Sequence, residues 1–160
     1  MIIKGLQDED FVNYKKPSMF IGTIACDWKC CNEQNLDKNI CQNSILAKSK
    51  NIDMSADEIF RRYIDNQITS SVVIGGLEPI LQFEDVLELI QTFRNNGCDD
   101  EIVIYTGYYK DEIANEITIL SKYKNIIIKY GRYIPNQEKH YDKVLGVWLA
   151  SDNQYAERIS

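Results

Sequence analysis

The chain has 160 residues, with 24 acidic against 18 basic side chains and a formal net charge of -6. This length suits one domain with a sizeable core, and because no block of Lys or Arg stands out, nucleic acid is a poor candidate for a partner. No apolar run reaches the ~18 residues of a membrane span and the N-terminus lacks the layout of a signal peptide, so we expect a soluble, cytoplasmic protein with no membrane partner.

The first apolar segment, Met19–Ile24, predicts a strand that runs into a polar loop containing most of the cysteines. Thiolates are soft ligands for iron or zinc, and a loop fixed at the end of a buried strand can direct several of them to one point. Such crowding differs from the disulfide framework of a small secreted domain. We interpret it as a metal-cluster loop, in which the thiolates of Cys26, Cys30 and Cys41 would leave one iron of a four-iron cluster open.

The same loop also suits a different class of protein. Structural zinc in an interaction module would need four closed ligands, which Cys26, Cys30, Cys31 and Cys41 supply. The remaining cysteine, Cys98, lies alone and is interpreted as an ordinary thiol. The single histidine, His140, lies in a polar stretch and is interpreted as a surface side chain.

Beyond the loop, short β-branched runs alternate with amphipathic segments, without an internal repeat or a linker rich in Pro, Gly or Ser. A capping-box pattern at Ser55–Glu58 predicts a helix over about 55–66. Further strands are predicted at Ser71–Ile74, Ile102–Tyr105 and Ile126–Ile128, and further helices over Phe83–Phe93 and from a cap at Asp111. Strands that are apolar throughout are buried on both faces, so the pattern predicts an α/β fold with a mostly parallel sheet or an open barrel.

Each predicted strand ends in a chemically distinctive segment, and in such sheets ligands gather at the carboxyl ends of the strands. The segments are Gly75–Pro79, Tyr105–Tyr108 and Lys129–Arg132. Taken singly, each has an ordinary explanation: a turn, a boundary packing residue, or an ion pair with a nearby acid. Their joint placement favours a shared binding site, because a cofactor that carries amine, carboxylate, ribose and adenine groups needs dissimilar contacts from several strands.

The side chains at these strand ends suggest specific contacts. Gly75 and Gly76 allow a ligand to approach the main chain, whose carbonyls can accept hydrogen bonds from an amine, and Glu78 adds a negative charge. Tyr105 offers a flat ring or a hydroxyl group. Arg132 can hold a carboxylate by two parallel hydrogen bonds.

Taken together, these segments resemble the radical S-adenosylmethionine superfamily, and within it the small activating proteins of anaerobic ribonucleotide reductase. The resemblance covers nearly the whole chain and rests on Cys26-x3-Cys30, Cys41-Gln-Asn43, the Gly-Gly-Leu-Glu-Pro79 turn, Tyr-Thr-Gly-Tyr108, Gly-Arg-Tyr133 and Ser151-Asp-Asn-Gln154. Two departures stand out. Ten residues separate Cys30 from Cys41, more than the family's usual spacing, and Leu77 is inserted in the glycine turn, which puts the direction of Glu78 in doubt.

The resemblance implies a single domain over 1–160 with an open, partial (β/α) barrel of minimal size. It implies a 4Fe-4S cluster held by Cys26, Cys30 and Cys41, with S-adenosylmethionine bound at the fourth iron and no catalytic side chain beyond the cluster ligands. The implied cofactor contacts are Trp28, Gln42, Asn43, Gly75, Gly76, Glu78, Tyr105, Thr106 and Arg132. Cys31 is the rival of Cys41 as third ligand, although adjacent thiolates must diverge strongly to meet one cluster.

The resemblance also implies an activity. An electron from a flavodoxin or ferredoxin would reduce the cluster, and S-adenosylmethionine would be cleaved to methionine and a 5'-deoxyadenosyl radical. That radical would install a glycyl radical on a partner enzyme, the large subunit of anaerobic ribonucleoside-triphosphate reductase. The alternative is a radical S-adenosylmethionine enzyme acting on a small molecule, such as a deazapurine synthase, or a maturase. Such enzymes usually carry extra substrate-binding sequence, and this chain has little.

Overall fold

A computed structural model describes residues 1–160. The strands are β1 (Ile2–Ile3), β2 (Gly5–Asp10), β3 (Ser18–Gly22), β4 (Ile52–Asp53), β5 (Ser71–Gly75), β6 (Glu101–Tyr105), β7 (Ile126–Tyr130), β8 (His140–Asp142), β9 (Val147–Leu149) and β10 (Tyr155–Arg158). The helices are α1 (Lys29–Asn32), α2 (Ser44–Lys48), α3 (Ala56–Asp65), α4 (Phe83–Asn95) and α5 (Ala114–Leu120). Short 3₁₀ turns occupy Lys38–Ile40, Pro79–Gln82 and Lys110–Ile113.

Six strands form a mixed central sheet in the order β10-β7-β6-β5-β3-β2. The four inner strands, β3, β5, β6 and β7, are parallel, and the two edge strands are antiparallel to their neighbours. The predicted α/β class with a mostly parallel sheet is thereby confirmed. Because the inner strands follow one another in chain order, right-handed connections carry their helices to the same face of the sheet.

The alternating side chains of the inner strands form two cores, one on each face. On the helix-covered face, Val72 and Ile74 belong to the larger core, to which α3 and α4 contribute through the edge-to-face pair Phe60–Phe93. On the opposite face, Val73 packs with Tyr14 and other side chains that lie outside the helices. Burial on both faces explains why these strands are apolar without alternation.

The predicted elements recur with small shifts. Ser55 caps α3 and Glu58 completes the capping box, as the sequence pattern predicted. The helix predicted to begin at Asp111 is wrong in its start, since a 3₁₀ turn capped at Tyr109 with Glu112 precedes α5. No helix in the structure has the length and apolar character needed to cross a membrane.

Candidate metal centre

A cavity of about 350 Å³ lies where the inner strands end, and all four cysteines of the polar loop line it. These are Cys26, Cys30, Cys31 and Cys41. Predicted site residues that also line this central cavity are Gln42, Asn43, Gly76, Glu78, Tyr105 and Thr106. The structure therefore brings most of the predicted site together. Trp28, Gly75 and Arg132 do not line the cavity.

Cys30 and Cys31 are presented by the short helix α1, which begins after an unusual turn. Trp28 has φ 61°, in the left-handed region, and its carbonyl accepts hydrogen bonds from the amides of Cys31 (2.9 Å) and Asn32 (2.8 Å). The Trp28 amide in turn lies 3.3 Å from the Cys26 sulfur. Trp28 thus shapes the turn between the first two cysteines, and its predicted cofactor contact stays a prediction.

Burial controls the protonation of these thiols. Burial raises the pKa of the Cys26 thiol to about 12 and also raises the pKa of Cys30 and Cys31. Without a metal the thiols are therefore protonated at neutral pH. Binding of iron would release these protons, so the affinity for metal should increase with pH.

The cysteines are not arranged around one ion. No three His, Cys, Asp or Glu side chains lie close enough together in the structure to hold a single metal ion. The zinc alternative therefore has no ready-made site, since a structural zinc needs four ligands at one point. An iron-sulfur cluster places each thiolate on a different iron, so it takes sulfurs that are farther apart, and thiolates are its ordinary ligands.

The part of the cavity wall next to Cys30 is formed by Gly107, which has no side chain. A Cβ added to Gly107 would come within 3.3 Å of the Cys30 sulfur and 3.5 Å of a Glu78 carboxylate oxygen. The absence of a side chain at Gly107 therefore lets the end of β6 approach the thiol closely.

The glycine turn after β5 makes room for the protein's own side chains. A Cβ on Gly75 would meet the Tyr105 Cβ at 3.0 Å. Gly76 has φ +81°, and a Cβ there would collide with a methyl group of Leu46, which α2 places over the turn. The predicted reason for these glycines was the approach of a ligand, but close packing against Tyr105 also favours glycine at position 75, and backbone conformation favours it at position 76.

Glu78 is buried and its carboxylate is occupied by neighbouring donors. It accepts hydrogen bonds from the Thr106 hydroxyl at 2.7 Å, the Gly107 amide at 2.8 Å and the Ile80 amide at 3.1 Å. Desolvation raises the pKa of Glu78, and these three donors oppose the rise. Glu78 and Thr106 therefore bind each other at the cavity wall, and their contact with a cofactor stays a prediction.

Tyr105 and Tyr108 diverge after β6. The Tyr105 hydroxyl donates to the Asn13 carbonyl, so its ring lies along the cavity on the face away from the helices. The Tyr108 hydroxyl donates to a carboxylate oxygen of Asp27 at 2.7 Å, which ties it to the cysteine loop. Of the two tyrosines, Tyr105 lines the cavity and Tyr108 does not.

Arg132 is engaged by two carboxylates outside the cavity lining. Its terminal nitrogens lie 2.6 and 2.7 Å from the oxygens of Glu112, and its Nε lies 2.6 Å from Glu33. The alternative that the sequence left open for Arg132, an ion pair with nearby acids, is what the structure contains. Its predicted role toward a cofactor carboxylate would require it to exchange these partners.

Lys129 is the cation that lines the cavity, although the sequence pattern predicted a ligand role only for Arg132. Its side chain is 7% exposed and its ammonium group donates to the Gly131 carbonyl at 3.0 Å, without a carboxylate in ion-pair range. Burial lowers the pKa of Lys129 to about 8. A signal was present in the sequence, because Lys129 is the only charged residue in the otherwise apolar strand β7.

The C-terminal cluster holds the segment after β7 in place. Asn153 donates to the Arg132 carbonyl at 2.9 Å, and Gln154 donates to the Gly131 carbonyl at 3.2 Å. Gly131 has φ +96°, and a Cβ there would lie 2.9 Å from the Asn153 carbonyl oxygen. These amides thus fix the backbone on which Lys129 and Arg132 are carried.

Comparison with known proteins agrees with this arrangement. Residues 21–156 match the family described as 4Fe-4S single cluster domain. The chain is also 28% identical over 130 residues to a Methanocaldococcus jannaschii protein named as a candidate glycyl-radical enzyme activating enzyme. That match covers 81% of this chain and 48% of the relative, so the chain spans about half the length of the curated relative it matches.

The two findings bear on different parts of the prediction. The match to the activating enzyme confirms the predicted resemblance to proteins of this kind. The family match extends from the end of β3 to β10 and therefore includes the four cysteines of the loop and every strand end described above. The chain accordingly belongs to the family of 4Fe-4S single cluster domains.

Proposed function

We propose that this protein binds a 4Fe-4S cluster through Cys26, Cys30 and Cys41, cleaves S-adenosylmethionine reductively, and installs a glycyl radical on a partner enzyme. The observation that carries this proposal is the convergence of the cysteine loop and the strand-end residues on one cavity. A cavity that joins soft sulfur donors to amide, aromatic and cationic groups suits a metal cluster beside an organic cofactor.

The protein's contribution is to bind, orient and shield the reacting groups. When bound and reduced, the cluster would supply the electron that breaks the sulfonium bond of S-adenosylmethionine, and that chemistry belongs to the cofactors. Half-buried thiols at the cavity wall and the close approach of Gly107 to Cys30 would keep water away from the cluster. Exclusion of water and nearby hydrogen-bond donors are the means by which a protein tunes a cluster's potential.

Lys129 is the residue best suited to hold the carboxylate of S-adenosylmethionine. A buried ammonium group without an acidic partner is costly, and an anionic ligand in the cavity would offset that cost. The amides of Gln42 and Asn43 line the cavity beside Cys41, and the Tyr105 ring offers a flat surface for adenine. Lys129 would thus contact the carboxylate of the cofactor, the two amides its polar groups, and Tyr105 its adenine ring.

A protein substrate fits the size of the fold. Four parallel strands with two antiparallel edges fall well short of a closed barrel of eight, which typically takes about 250 residues. We propose an open, partial barrel of the radical S-adenosylmethionine type in one domain, whose gap admits a loop of the partner. The name of the Methanocaldococcus jannaschii relative favours a glycyl radical enzyme as that partner. We propose the large subunit of anaerobic ribonucleotide reductase, with a flavodoxin or ferredoxin as electron donor.

The experiment is anaerobic reconstitution with iron and sulfide, followed by chemical reduction and addition of S-adenosylmethionine. The expected result is formation of 5'-deoxyadenosine, which should be lost in Cys26→Ala and Cys30→Ala and retained in the remote control Cys98→Ala. An intact cluster that never cleaves S-adenosylmethionine would overturn the proposed reaction.

The partner is tested separately. Incubation of the reduced protein with an anaerobic ribonucleotide reductase large subunit should produce the electron paramagnetic resonance signal of a glycyl radical. Cleavage of S-adenosylmethionine without that signal, across several glycyl radical enzymes, would instead favour the small-molecule or maturase alternative.

A further inference from the structure

Arg132 is the centre of a charged network that joins the segments after β6 and β7 to the cysteine loop. Its side chain is 4% exposed, and it contacts Glu112 through two parallel interactions, Glu33 through Nε, and the Gly107 carbonyl at 3.2 Å. The Glu33 carboxylate lies 2.6 Å from Nε as an ion pair without the alignment of a hydrogen bond, and the two carboxylates together leave the guanidinium group little capacity for another anion. The network joins the loop after β6, the end of β7 and the segment that follows α1.

The helix that carries Cys30 is too short to be stable on its own. α1 spans Lys29–Asn32, about one helical turn, and its N-terminal residue Trp28 makes no capping contact through its side chain. Isolated helices shorter than about 12 residues are marginal in water, because nucleation costs more than the first hydrogen bonds return. Contacts with the rest of the protein must therefore hold α1 in place.

The first end of α1 is tied to the loop after β6. Lys29 lies 3.1 Å from a carboxylate oxygen of Glu112 and its ammonium group lies 4.3 Å from the centre of the Tyr108 ring. Tyr108 in turn donates to Asp27, just before the helix. The same Glu112 carboxylate binds Arg132 and also accepts a hydrogen bond from the Tyr109 amide at 2.8 Å, so Arg132 is one of two groups that orient Glu112 toward this end of α1.

The second end of α1 is tied to the segment after β7. Glu33, which follows the helix, pairs with Arg132, and Gln34 donates to the Tyr133 carbonyl at 2.9 Å and to the Cys30 carbonyl at 2.7 Å. Both ends of the cysteine helix thus meet at one guanidinium group, either directly or through Glu112.

We propose that Arg132 is a positioning residue, which fixes the helix that carries Cys30 through Glu33 and Glu112 and does not itself bind S-adenosylmethionine. The proposal rests on the proposed function for the identity of the cluster, while the restraint on α1 is a property of the metal-free protein. It reverses the role that the sequence predicted for Arg132.

The first test uses the metal-free protein. Hydrogen exchange of the backbone amides of residues 29–34 should become about fivefold to tenfold faster in Arg132→Lys and Glu112→Gln, since either change removes the bidentate contact. The 3₁₀ turn Lys38–Ile40 makes none of these ion pairs and serves as the internal control. Arg62→Lys removes a similar bidentate pair with Asp8, remote from the cavity, and should leave exchange of residues 29–34 unchanged.

The second test separates positioning from direct binding. After reconstitution, both Arg132→Lys and Glu112→Gln should lose iron at least about fivefold faster than the protein without a substitution, measured during dialysis against a chelator. Molecules that keep their cluster should bind S-adenosylmethionine with unchanged affinity, measured by the shift of the reduced cluster's electron paramagnetic resonance signal.

Two results would overturn the proposal. One is unchanged amide exchange in both variants. The other is a stable cluster in Arg132→Lys together with weakened S-adenosylmethionine binding that Glu112→Gln does not share, which would make Arg132 a direct ligand. Failure of the unchanged protein to assemble a cluster would count against the proposed function, and the exchange experiment would still decide the role of Arg132.

Discussion

The Glu78 carboxylate accepts a buried hydrogen bond of 2.7 Å from the Thr106 hydroxyl, which joins the ends of β5 and β6. The other Glu78 oxygen accepts from the Gly107 amide at 2.8 Å, and Gly107 borders the Cys30 thiol. The two strand ends are therefore held together directly behind the proposed cluster ligand. A charged group in this position stabilises the site only while its donors remain in place.

Removal of the Thr106 hydroxyl should destabilise the protein. Thr106→Val keeps the shape of the side chain but leaves Glu78 without one donor and the Tyr108 amide without its acceptor at 3.0 Å. We expect the free energy of unfolding of the metal-free protein to fall by about 1–3 kcal/mol in chemical denaturation at neutral pH. Thr106→Ser retains the hydroxyl group, so its free energy of unfolding should fall much less.

The pH dependence of that loss has a definite sign. Desolvation already raises the pKa of Glu78 above the ordinary value of 4.5 for such a carboxyl group, and the loss of a donor raises it further. A carboxyl group whose pKa is raised by folding destabilises the folded protein increasingly as pH rises above its unfolded value. The penalty in Thr106→Val should therefore shrink as pH is lowered toward 4.5, and an equal or larger penalty in acid would contradict this account.

Gly76 and Gly97 form a matched pair for testing the glycine turn. Both have positive φ, +81° and +78°, but an added Cβ meets Leu46 at Gly76 and no atom within 4 Å at Gly97. Gly97→Ala should cost about 1–2 kcal/mol from backbone strain alone, whereas Gly76→Ala adds the displacement of the Leu46 methyl group to the same strain. Chemical denaturation of the two variants measures the difference.

A second substitution identifies the source of the extra cost. Leu46→Ala should recover part of the stability lost in Gly76→Ala, because it removes the methyl group that the new Cβ would strike. If the two glycine variants are equally unstable, packing of α2 over the turn plays no part in the requirement for glycine.

The sequence pattern predicted the four inner strands of the central sheet but not its two edge strands, β2 and β10. Burial on both faces makes runs such as Val72–Ile74 apolar throughout, and that signal survives without any tertiary information. β2 reads Gly5–Asp10 with three acidic side chains, because edge strands carry charges that discourage pairing with other molecules. Because β2 is so highly charged, the sequence pattern did not predict it as a strand. The short strand β10, which follows the Ser151–Gln154 cluster, was not predicted either.

The candidate site was also predicted only in part from the sequence. Which residues follow the strand ends could be read from the chain, but the choice between ligand and ion-pair roles depends on distant partners. Glu33 and Glu112 reach Arg132 only in the folded protein, so sequence spacing gave no indication that its guanidinium group was occupied. Leu46 over Gly76 is a similar case, in which a contact between distant segments decides why a residue is needed.

Lys129 should make the metal-free protein less stable at neutral pH than a variant with an apolar side chain there. Folding lowers the pKa of Lys129 from 10.5 to about 8, chiefly through burial, with Cys30 and Glu78 opposing the shift. Lys129→Met should therefore raise the free energy of unfolding by about 1–3 kcal/mol at neutral pH. Chemical denaturation of both proteins gives the comparison.

The advantage of Lys129→Met should depend on pH. A lysine with a lowered pKa carries its full burial cost below about pH 8, and that cost diminishes as pH rises from 8 toward 10.5. The two proteins should therefore converge in stability toward the upper value. The reconstituted variant should bind S-adenosylmethionine more weakly, and a variant that is less stable at every pH would show that Lys129 is a structural residue.

Cys31 and Cys41 both line the cavity, so the third cluster ligand can be decided by paired substitutions. Neighbouring positions on a helix point about 100° apart, which makes it difficult for Cys30 and Cys31 to meet one cluster from α1. Cys41 approaches from a separate segment, directly after the 3₁₀ turn Lys38–Ile40. We expect Cys41→Ser to lose iron and sulfide after anaerobic reconstitution and Cys31→Ser to retain them, with Cys98→Ser as the remote control.

The other outcomes of this pair are equally informative. Loss of iron in Cys31→Ser with retention in Cys41→Ser would exchange their roles and leave the three-ligand site intact. Loss in both would mean that Cys26, Cys30, Cys31 and Cys41 all bind iron. A cluster with four protein ligands has no open iron for the amine and carboxylate of S-adenosylmethionine, so that result would remove the basis of the proposed reaction, whatever else the cavity contains.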